Sequence, residues 1–261
     1  MTARVVRLRI APVKGLGLLE RDWVDVGPTG VAEDRRFFLL GPDGRHRSGL
    51  AHGPLVRIAP DYDPAAERLV LTFPSGDAVA GSAAATGDVI HVPWNERVMH
   101  ARAVAGFDEA LSAFVGMPVR LVRTEPGHRP SSSHVTILSV ASVEAVERGA
   151  GLPDALDERR FRMLVTIDGV EPYAEEAWVG GQVEVGGAVV RVDVEAARCA
   201  TTTRDPSTGL RDLDVLRLLA DVRGVTPRKT VDLGVYCDVV RPGRVAVGDV
   251  VRPVAEGESA A

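Results

Sequence analysis

The sequence predicts a mainly β fold of the α+β class, in which barrel-like sheets carry a few peripheral helices. Short runs of alternating apolar and polar residues outnumber helical patterns, and 27 glycines and 17 prolines punctuate the 261 residues. Strands and helices do not alternate regularly, which argues against a parallel α/β sheet. Many short strands separated by turns are typical of barrels and sandwiches.

The first half of the chain is predicted to be almost entirely β-structure, because alternating, β-branched stretches lie between Gly and Pro residues. The predicted strands cover residues 4–13, 23–26, 37–40, 55–58, 68–73, 89–92 and 119–122. One helix is predicted over 108–115, since Phe107, Leu111 and Phe114 fall on one face. Asp108 is its predicted N-cap.

The second half is predicted to combine strands with two helices. The predicted elements are strands over 134–138 and 163–167, helices over 139–148 and 213–222, a hairpin over 183–189 that turns at Gly186-Gly187, and a β-meander over 235–254. A polar, Pro-containing segment precedes this half. The predicted domains are therefore residues 1–125 and 126–254, with a disordered tail over 255–261.

The composition excludes several classes of protein. A formal net charge of -5 argues against nucleic-acid binding. Two cysteines, Cys199 and Cys237, are too few for a disulfide framework or an iron–sulfur cluster and fit a reducing compartment. The first residues alternate charged and apolar side chains and predict neither a signal peptide nor a membrane span. A cytoplasmic protein without a membrane partner is expected.

One loop concentrates reactive side chains. Cys199 lies between Arg198 and Arg204 and precedes three threonines. Cationic neighbours favour the thiolate, which attacks substrates or binds soft metals. The alternative is a small buried hydrophobe, but the cationic, hydroxyl-rich surroundings favour a functional thiol. The sequence Asp205-Pro-Ser-Thr-Gly209 predicts a tight turn.

Three further cations, Lys14, Arg35 and Arg162, lie at predicted junctions of loops and strands. The run Ser131-Ser132-Ser133 adds hydroxyl donors near a strand start. If these groups converge on the thiol, they would suit an anionic, phosphate-bearing cofactor that carries a soft metal. Each arginine by itself could equally cap a strand edge in solvent.

Several motifs resemble those of one family. The loop Arg198-Cys199-x-x-Thr202-Thr203-x-Asp205-Pro206-x-Thr208-Gly209 resembles the cysteine loop of MOSC domains. Three other motifs resemble the same family in the same order: Arg160-Phe161-Arg162, Tyr173-Ala174-Glu175-x-x-Trp178 and Val245-x-Val247-Gly248-Asp249. Pro12-Val13-Lys14 and Asp34-Arg35 resemble the MOSC N-terminal β-barrel domain.

The resemblance implies a MOSC-type β-barrel and a pterin-based molybdenum cofactor, Mo-molybdopterin. Cys199 falls at the family's metal-ligating, catalytic position. The family's cofactor-anchoring positions fall on Lys14, Arg35, Ser132, Ser133 and Arg162. The resemblance further implies a reductase that cleaves the N–O bond of small N-hydroxylated substrates and takes electrons from a separate donor protein.

Three residues depart from the family pattern. Gly15 and Leu164 stand where relatives commonly place a serine and an asparagine, so weaker cofactor binding is expected, and restoring both groups should raise occupancy. His134, often a proline in relatives, is either a proton donor or a hydrogen-bonded residue at a strand start, and the second interpretation is preferred. Cys237 is interpreted as a packing residue.

Two alternative functions remain open from the sequence. Cys199 could carry a persulfide or cleave a C–S bond without any metal. The chain could also be a non-enzymatic carrier that binds the pterin cofactor and passes it on.

Overall fold

The computed structural model describes residues 2–94, 97–126, 128 and 133–255. The strands in this part of the chain are β1 Ala3–Ile10, β2 Leu19–Arg21, β3 Trp23–Gly27, β4 Gly30–Val31, β5 Phe37–Leu40, β6 His46–Arg47, β7 Ala59–Asp63, β8 Arg68–Thr72, β9 Ala78–Ser82, β10 Thr86–Trp94, β11 Arg97–Ala103, β12 Arg120–Thr124, β13 Val135–Ser139, β14 Val165–Asp168, β15 Gln182–Val185, β16 Ala188–Ala197, β17 Asp232–Arg241, β18 Gly243–Ala246 and β19 Val250–Pro253. The helices are α1 Asp108–Val115, α2 Val140–Ala150 and α3 Val215–Arg223. Short 3-10 helices occupy Gly53–Arg57, Glu158–Phe161, Glu176–Trp178 and Ala200–Thr203.

Seven strands of the described chain close into a barrel in the order β14-β13-β17-β16-β15-β19-β1. The barrel closes because β1 pairs with β14 as well as with β19. All its neighbours are antiparallel except β13 and β14, which are parallel. Its interior is filled mainly by valines, with isoleucine and leucine. This arrangement confirms the predicted mainly β, barrel-containing fold.

The barrel takes one strand from the start of the chain. β1 pairs with β14, for example Leu8 with Val165, and β3 pairs with β18. The N-terminal segment therefore packs with the second half of the molecule, while the division at residue 125 remains a prediction about the sequence.

A second β-structure is built from the rest of the first half. It contains a five-stranded sheet, β10-β11-β12-β5-β6, and a three-stranded sheet, β7-β8-β9. Phe37, Leu69 and Phe107 lie in its core, which is separate from the barrel core. The first half is thus mainly β, as predicted.

Several predicted elements are confirmed by the structure. Helix α1 spans the predicted residues, and Ser139 caps helix α2 by accepting a hydrogen bond from the Ser142 amide. The hairpin β15–β16 pairs Val185 with Ala188 across the Gly-Gly turn, where Gly186 has φ of +56°. Helix α3 ends at Gly224.

Three predictions about local structure were wrong. Residues 55–58 do not form a strand, because the 3-10 helix Gly53–Arg57 has Pro54 in its first turn, where proline is favourable. Asp108 does not cap α1; its Oδ1 accepts a hydrogen bond from the Leu121 amide at 2.8 Å instead. The last three strands are not a meander, since β18 pairs with β3 and β19 pairs with β15 and β1.

Of the tail predicted to be disordered, residues 256–261 lie outside the described residues. Among the described residues, no helix has the length and apolar character needed to cross a membrane.

Candidate cofactor site

Loops from both halves of the chain meet around a cavity of about 390 Å³. Four predicted site residues line it, namely Lys14, Arg35, Arg162 and Cys199. The other lining residues are Gly15, Ser48, Gly49, Thr136, Arg160, Phe161, Met163, Ala197, Arg198, Thr201, Thr202 and Tyr236. The thiol and the three predicted cations therefore lie around one cavity, which their spacing along the sequence could not establish.

Cys199 is presented to the cavity by the end of β16. It follows Ala197 by two residues and precedes the 3-10 helix Ala200–Thr203. The thiol is exposed, and its Sγ lies 3.4 Å from Thr201 Oγ1. In the turn that follows, Asp205 Oδ1 accepts hydrogen bonds from the amides of Ser207 and Thr208. An accessible thiol on a rigid loop can bind a metal or attack a substrate.

Arg198, next to the thiol, is held by three hydrogen bonds. Its Nη1 donates to the carbonyl of Phe161 at 3.2 Å and to Met163 Sδ at 3.3 Å. Its Nη2 donates to Tyr236 Oη at 3.3 Å. The guanidinium thus joins the cysteine loop to the Arg160–Arg162 segment and to β17. The sequence pointed to Arg198 only as a neighbour of the thiol.

Lys14 reaches the cavity from the loop after β1. Its backbone amide donates to the Phe37 carbonyl at 2.7 Å, and its Nζ lies 4.9 Å from the centroid of the Trp94 ring. Burial, together with the charges of Arg35 and Arg162, lowers the pKa of Lys14 to about 7. The fold therefore disfavours the protonated form of Lys14 relative to an exposed lysine.

Arg35 and Arg162 are neighbours in the cavity wall, and both have a left-handed backbone, with φ of 54° and 53°. Arg35 pairs with the Asp34 carboxylate and donates from Nη2 to the Arg162 carbonyl at 3.0 Å. Arg162 donates from Nη2 to the Leu16 carbonyl at 2.7 Å. Burial and the nearby Arg35 charge lower the pKa of Arg162 to about 10.

Among the described residues, the cavity lining carries five cationic residues and no Asp or Glu. Arg160, which the sequence analysis did not select as a site residue, is neutralised from behind by Asp212, at 2.9 and 2.6 Å. The Asp34 carboxylate pairs with Arg35, and its negative charge also acts on Lys14 and Arg162. An anion in the cavity would relieve their mutual repulsion.

Comparison with known families assigns the fold. Residues 124–252 match the MOSC domain, and residues 2–118 match the MOSC N-terminal beta barrel domain. The chain belongs to the MOSC family. The resemblance predicted from the cysteine loop is thereby confirmed.

Individual relatives are similar to this MOSC protein over most of its length. Mitochondrial amidoxime-reducing component 1 of Homo sapiens is 26% identical over an alignment covering 95% of this chain and 82% of the human protein. The Mus musculus protein of the same name is 27% identical over 95% and 81%. Molybdenum cofactor sulfurase of Danio rerio is 23% identical over 89% of this chain, which spans 31% of the sulfurase.

Of the two predicted serines, Ser133 lies in the described part of the chain and does not line the cavity. Ser133 Oγ donates to the carbonyls of Val135 and Cys237, at 2.6 and 3.0 Å, and accepts from the Cys237 amide. Its hydroxyl therefore holds the two barrel strands β13 and β17 together. Ser132 lies outside the described residues.

The departures from the family pattern have local structural reasons in this MOSC protein. Gly15 has φ of +92°, and a Cβ there would lie 3.0 Å from the Gly49 amide nitrogen. Leu164 points into the barrel core, where it is buried, and Met163 lines the cavity in its place. The packing around Gly15 and around Leu164 therefore suits the residues that this chain has at these two positions.

Two residues of interest remain: His134 immediately precedes β13, and Cys237 lies on β17. His134 Nδ1 lies 3.2 Å from Asp238 Oδ1, which is consistent with a polar contact at a strand start. Cys237 is fully buried in the barrel core, and burial raises the pKa of its thiol. Its interpretation as a packing residue is confirmed.

Proposed function

We propose that this MOSC protein binds a pterin-based molybdenum cofactor in the cavity and uses it to reduce small N-hydroxylated molecules. The observation that carries the proposal is the convergence of the exposed Cys199 thiol with Lys14, Arg35 and Arg162 on one cavity. The names of two relatives, an amidoxime-reducing component and a molybdenum cofactor sulfurase, support it.

The side chains fit such a cofactor in ligand type, charge and size. A thiolate is a soft ligand suited to a redox metal, and guanidinium and ammonium groups suit phosphate oxygens. The cavity volume of about 390 Å³ falls within the roughly 300–1,000 Å³ usual for small-molecule sites.

In the proposed complex, Cys199 Sγ would hold the metal, and Lys14, Arg35 and Arg162 would hold the anionic end of the pterin. Arg35 uses two of its five N–H donors to bind the Asp34 carboxylate and the Arg162 carbonyl. Arg162 uses one of its donors to bind the Leu16 carbonyl. The remaining donors are available to a ligand. Because both guanidinium groups are already anchored, little side-chain freedom is lost on binding.

The proposed reaction needs an external source of electrons. When bound, the cofactor would supply a metal that exchanges two electrons. Reduction of R–NH–OH to R–NH₂ consumes two electrons and two protons and releases one water. Cys199 and Cys237 cannot bind an iron–sulfur cluster, so we place the electron source on a separate protein.

Metal-free sulfur transfer by Cys199 is the competing function, supported by the likeness to the sulfurase. The experiment is element and pterin analysis of protein made in a host that synthesises the molybdenum cofactor, followed by turnover of benzamidoxime with an artificial electron donor. The proposal expects one molybdenum and one pterin per chain, and turnover. Protein that carries neither, but accepts sulfur on Cys199 from a persulfide donor, would establish the alternative. Bound cofactor without turnover would indicate a carrier.

A further inference from the structure

A loop from the first half of the chain forms one wall of the cavity. We call residues 48–57 the covering loop; its first two residues, Ser48 and Gly49, line the cavity opposite the cysteine loop. The 3-10 helix Gly53–Arg57 forms its second part. The position of this loop therefore decides how closed the cavity is.

The covering loop packs against its two neighbouring loops through close backbone contacts at glycines. At its start, a Cβ on Gly15 would lie 3.0 Å from the Gly49 amide nitrogen. At its other end, a Cβ on Gly53 would overlap the Gly209 carbonyl oxygen, and a Cβ on Gly209 would overlap the Gly53 carbonyl. Backbone-to-backbone packing of this kind is possible only with glycine. The loop that carries Lys14 and Gly15, which we call the lysine loop, thus stacks directly on the covering loop, and the covering loop stacks on the cysteine loop.

Arg204 bridges the second of these contacts. Its Nη1 donates to the Gly209 carbonyl at 2.8 Å, and its Nη2 donates to the Leu50 carbonyl at 2.6 Å. Arg204 does not line the cavity that contains the Cys199 thiol. Within the described residues, no carboxylate forms an ion pair with it. Its guanidinium is used for two main-chain carbonyls on different loops.

We propose that Arg204 is a positioning residue that fastens the covering loop to the cysteine loop and so completes the cavity. In the sequence, Arg204 stands near the thiol and suggests an electrostatic effect on it. The geometry assigns it a mechanical task instead, because both of these hydrogen bonds lead to main-chain carbonyls. This role of Arg204 rests on the proposed function only for the identity of the ligand that the cavity would hold.

The test separates charge from geometry with three variants of the cofactor-free full chain. Arg204→Lys keeps the charge but cannot reach both carbonyls with one planar fork, and Arg204→Ala loses both. Arg217→Ala is the control, because Arg217 is an exposed arginine paired with Asp221 on α3. Hydrogen exchange is followed in peptides covering 48–58 and 204–211. The ratio of Cys199 alkylation rates with iodoacetate and iodoacetamide reports the positive field at the thiol, since Cys237 is buried.

We expect both peptides to exchange about tenfold faster in both Arg204 variants, and the alkylation ratio to fall at least about threefold as the lysine loop loses its support. Arg217→Ala should match the wild type. If Arg204→Ala does not fold, Gly53→Ala opens the same junction with the charge intact and should give the same pattern. The proposal would be overturned by Arg204→Lys behaving as wild type, by faster exchange confined to 204–211, or by an unchanged ratio. Because no cofactor is present, these outcomes are independent of the molybdenum assignment.

Discussion

Arg35 donates a hydrogen bond from Nη2 to the carbonyl oxygen of Arg162 at 3.0 Å, and each of the two residues holds a left-handed backbone. Such a backbone costs a non-glycine residue on the order of 1 kcal/mol or more. The pair joins positions 127 residues apart, one from each half of the chain. Such strain is consistent with side chains whose direction is fixed for the ligand that we propose.

Arg35→Gln and Arg162→Gln should each reduce cofactor content strongly. Each substitution removes a charge-assisted donor to an anionic ligand, a loss of about 1.5–3 kcal/mol, or roughly ten- to a hundredfold in affinity. Molybdenum and pterin per chain are the measurement. Arg217→Gln, which changes an exposed arginine on α3, is the matched control and should leave both contents unchanged. Equal losses in all three variants would contradict the assigned roles.

Lys14 should make stability depend on pH. Its pKa falls from 10.5 in the unfolded chain to about 7 in the fold, so between these values the unfolded chain binds the additional proton. The resulting penalty grows as the pH falls from 10.5 and is fully present below 7. Lys14→Met should therefore be more stable than wild type at pH 6, by on the order of a few kcal/mol, and should lose this advantage near pH 10. Urea unfolding at both pH values tests the sign.

The same lysine should make anion binding depend on pH. Sulfate affinity of the cofactor-free wild type should fall as the pH rises through 7, because the protonated fraction of Lys14 falls while sulfate remains a dianion. Lys14→Met should bind sulfate weakly and show a smaller change over this range than the wild type. Calorimetric titration from pH 6 to pH 8 gives both curves. A wild-type affinity that rises with pH would exclude Lys14 from the site.

Restoring the family's side chains should fail in this protein. Gly15→Ser places a Cβ against the Gly49 amide at a positive φ, and Leu164→Asn buries an amide in the barrel core. Each change should cost about 1–3 kcal/mol and add no cofactor. This prediction is the opposite of the expectation drawn from the sequence alone. Melting temperature and molybdenum content of the two variants distinguish these opposite expectations. A gain of metal at unchanged stability would favour the expectation drawn from the sequence.

The electron source gives an independent prediction. The isolated protein should not oxidise NADH, because its two cysteines cannot bind an iron–sulfur cluster. It should reduce benzamidoxime when dithionite-reduced viologen supplies the electrons. Absorbance at 340 nm measures NADH oxidation, and product analysis measures reduction of benzamidoxime. NADH consumption by the isolated chain would reveal a further redox centre.

The sequence predicted those parts of the site whose chemistry is local. The cysteine loop could be recognised because its thiol, arginines and turn residues are adjacent along the chain. The role of Arg204 could not be predicted, since its partner carbonyl belongs to Leu50, 154 residues away. The meander prediction failed for the same reason: β18 finds its partner in β3, and Arg244 meets Asp25 across 219 residues. Local pattern does not specify such long-range pairing.

The most direct test of the central claim is molybdenum content after substitution of each cysteine, with protein produced in a cofactor-competent host. Cys199→Ser replaces a soft ligand by a hard one in an exposed position and should abolish metal retention without unfolding the chain. Cys237→Ala is the matched control; it removes only a buried sulfur from the barrel core and should retain the metal. Loss of molybdenum in the first variant alone is the result we predict. Equal molybdenum content in the wild type and in Cys199→Ser would contradict the assignment of Cys199 as the metal ligand.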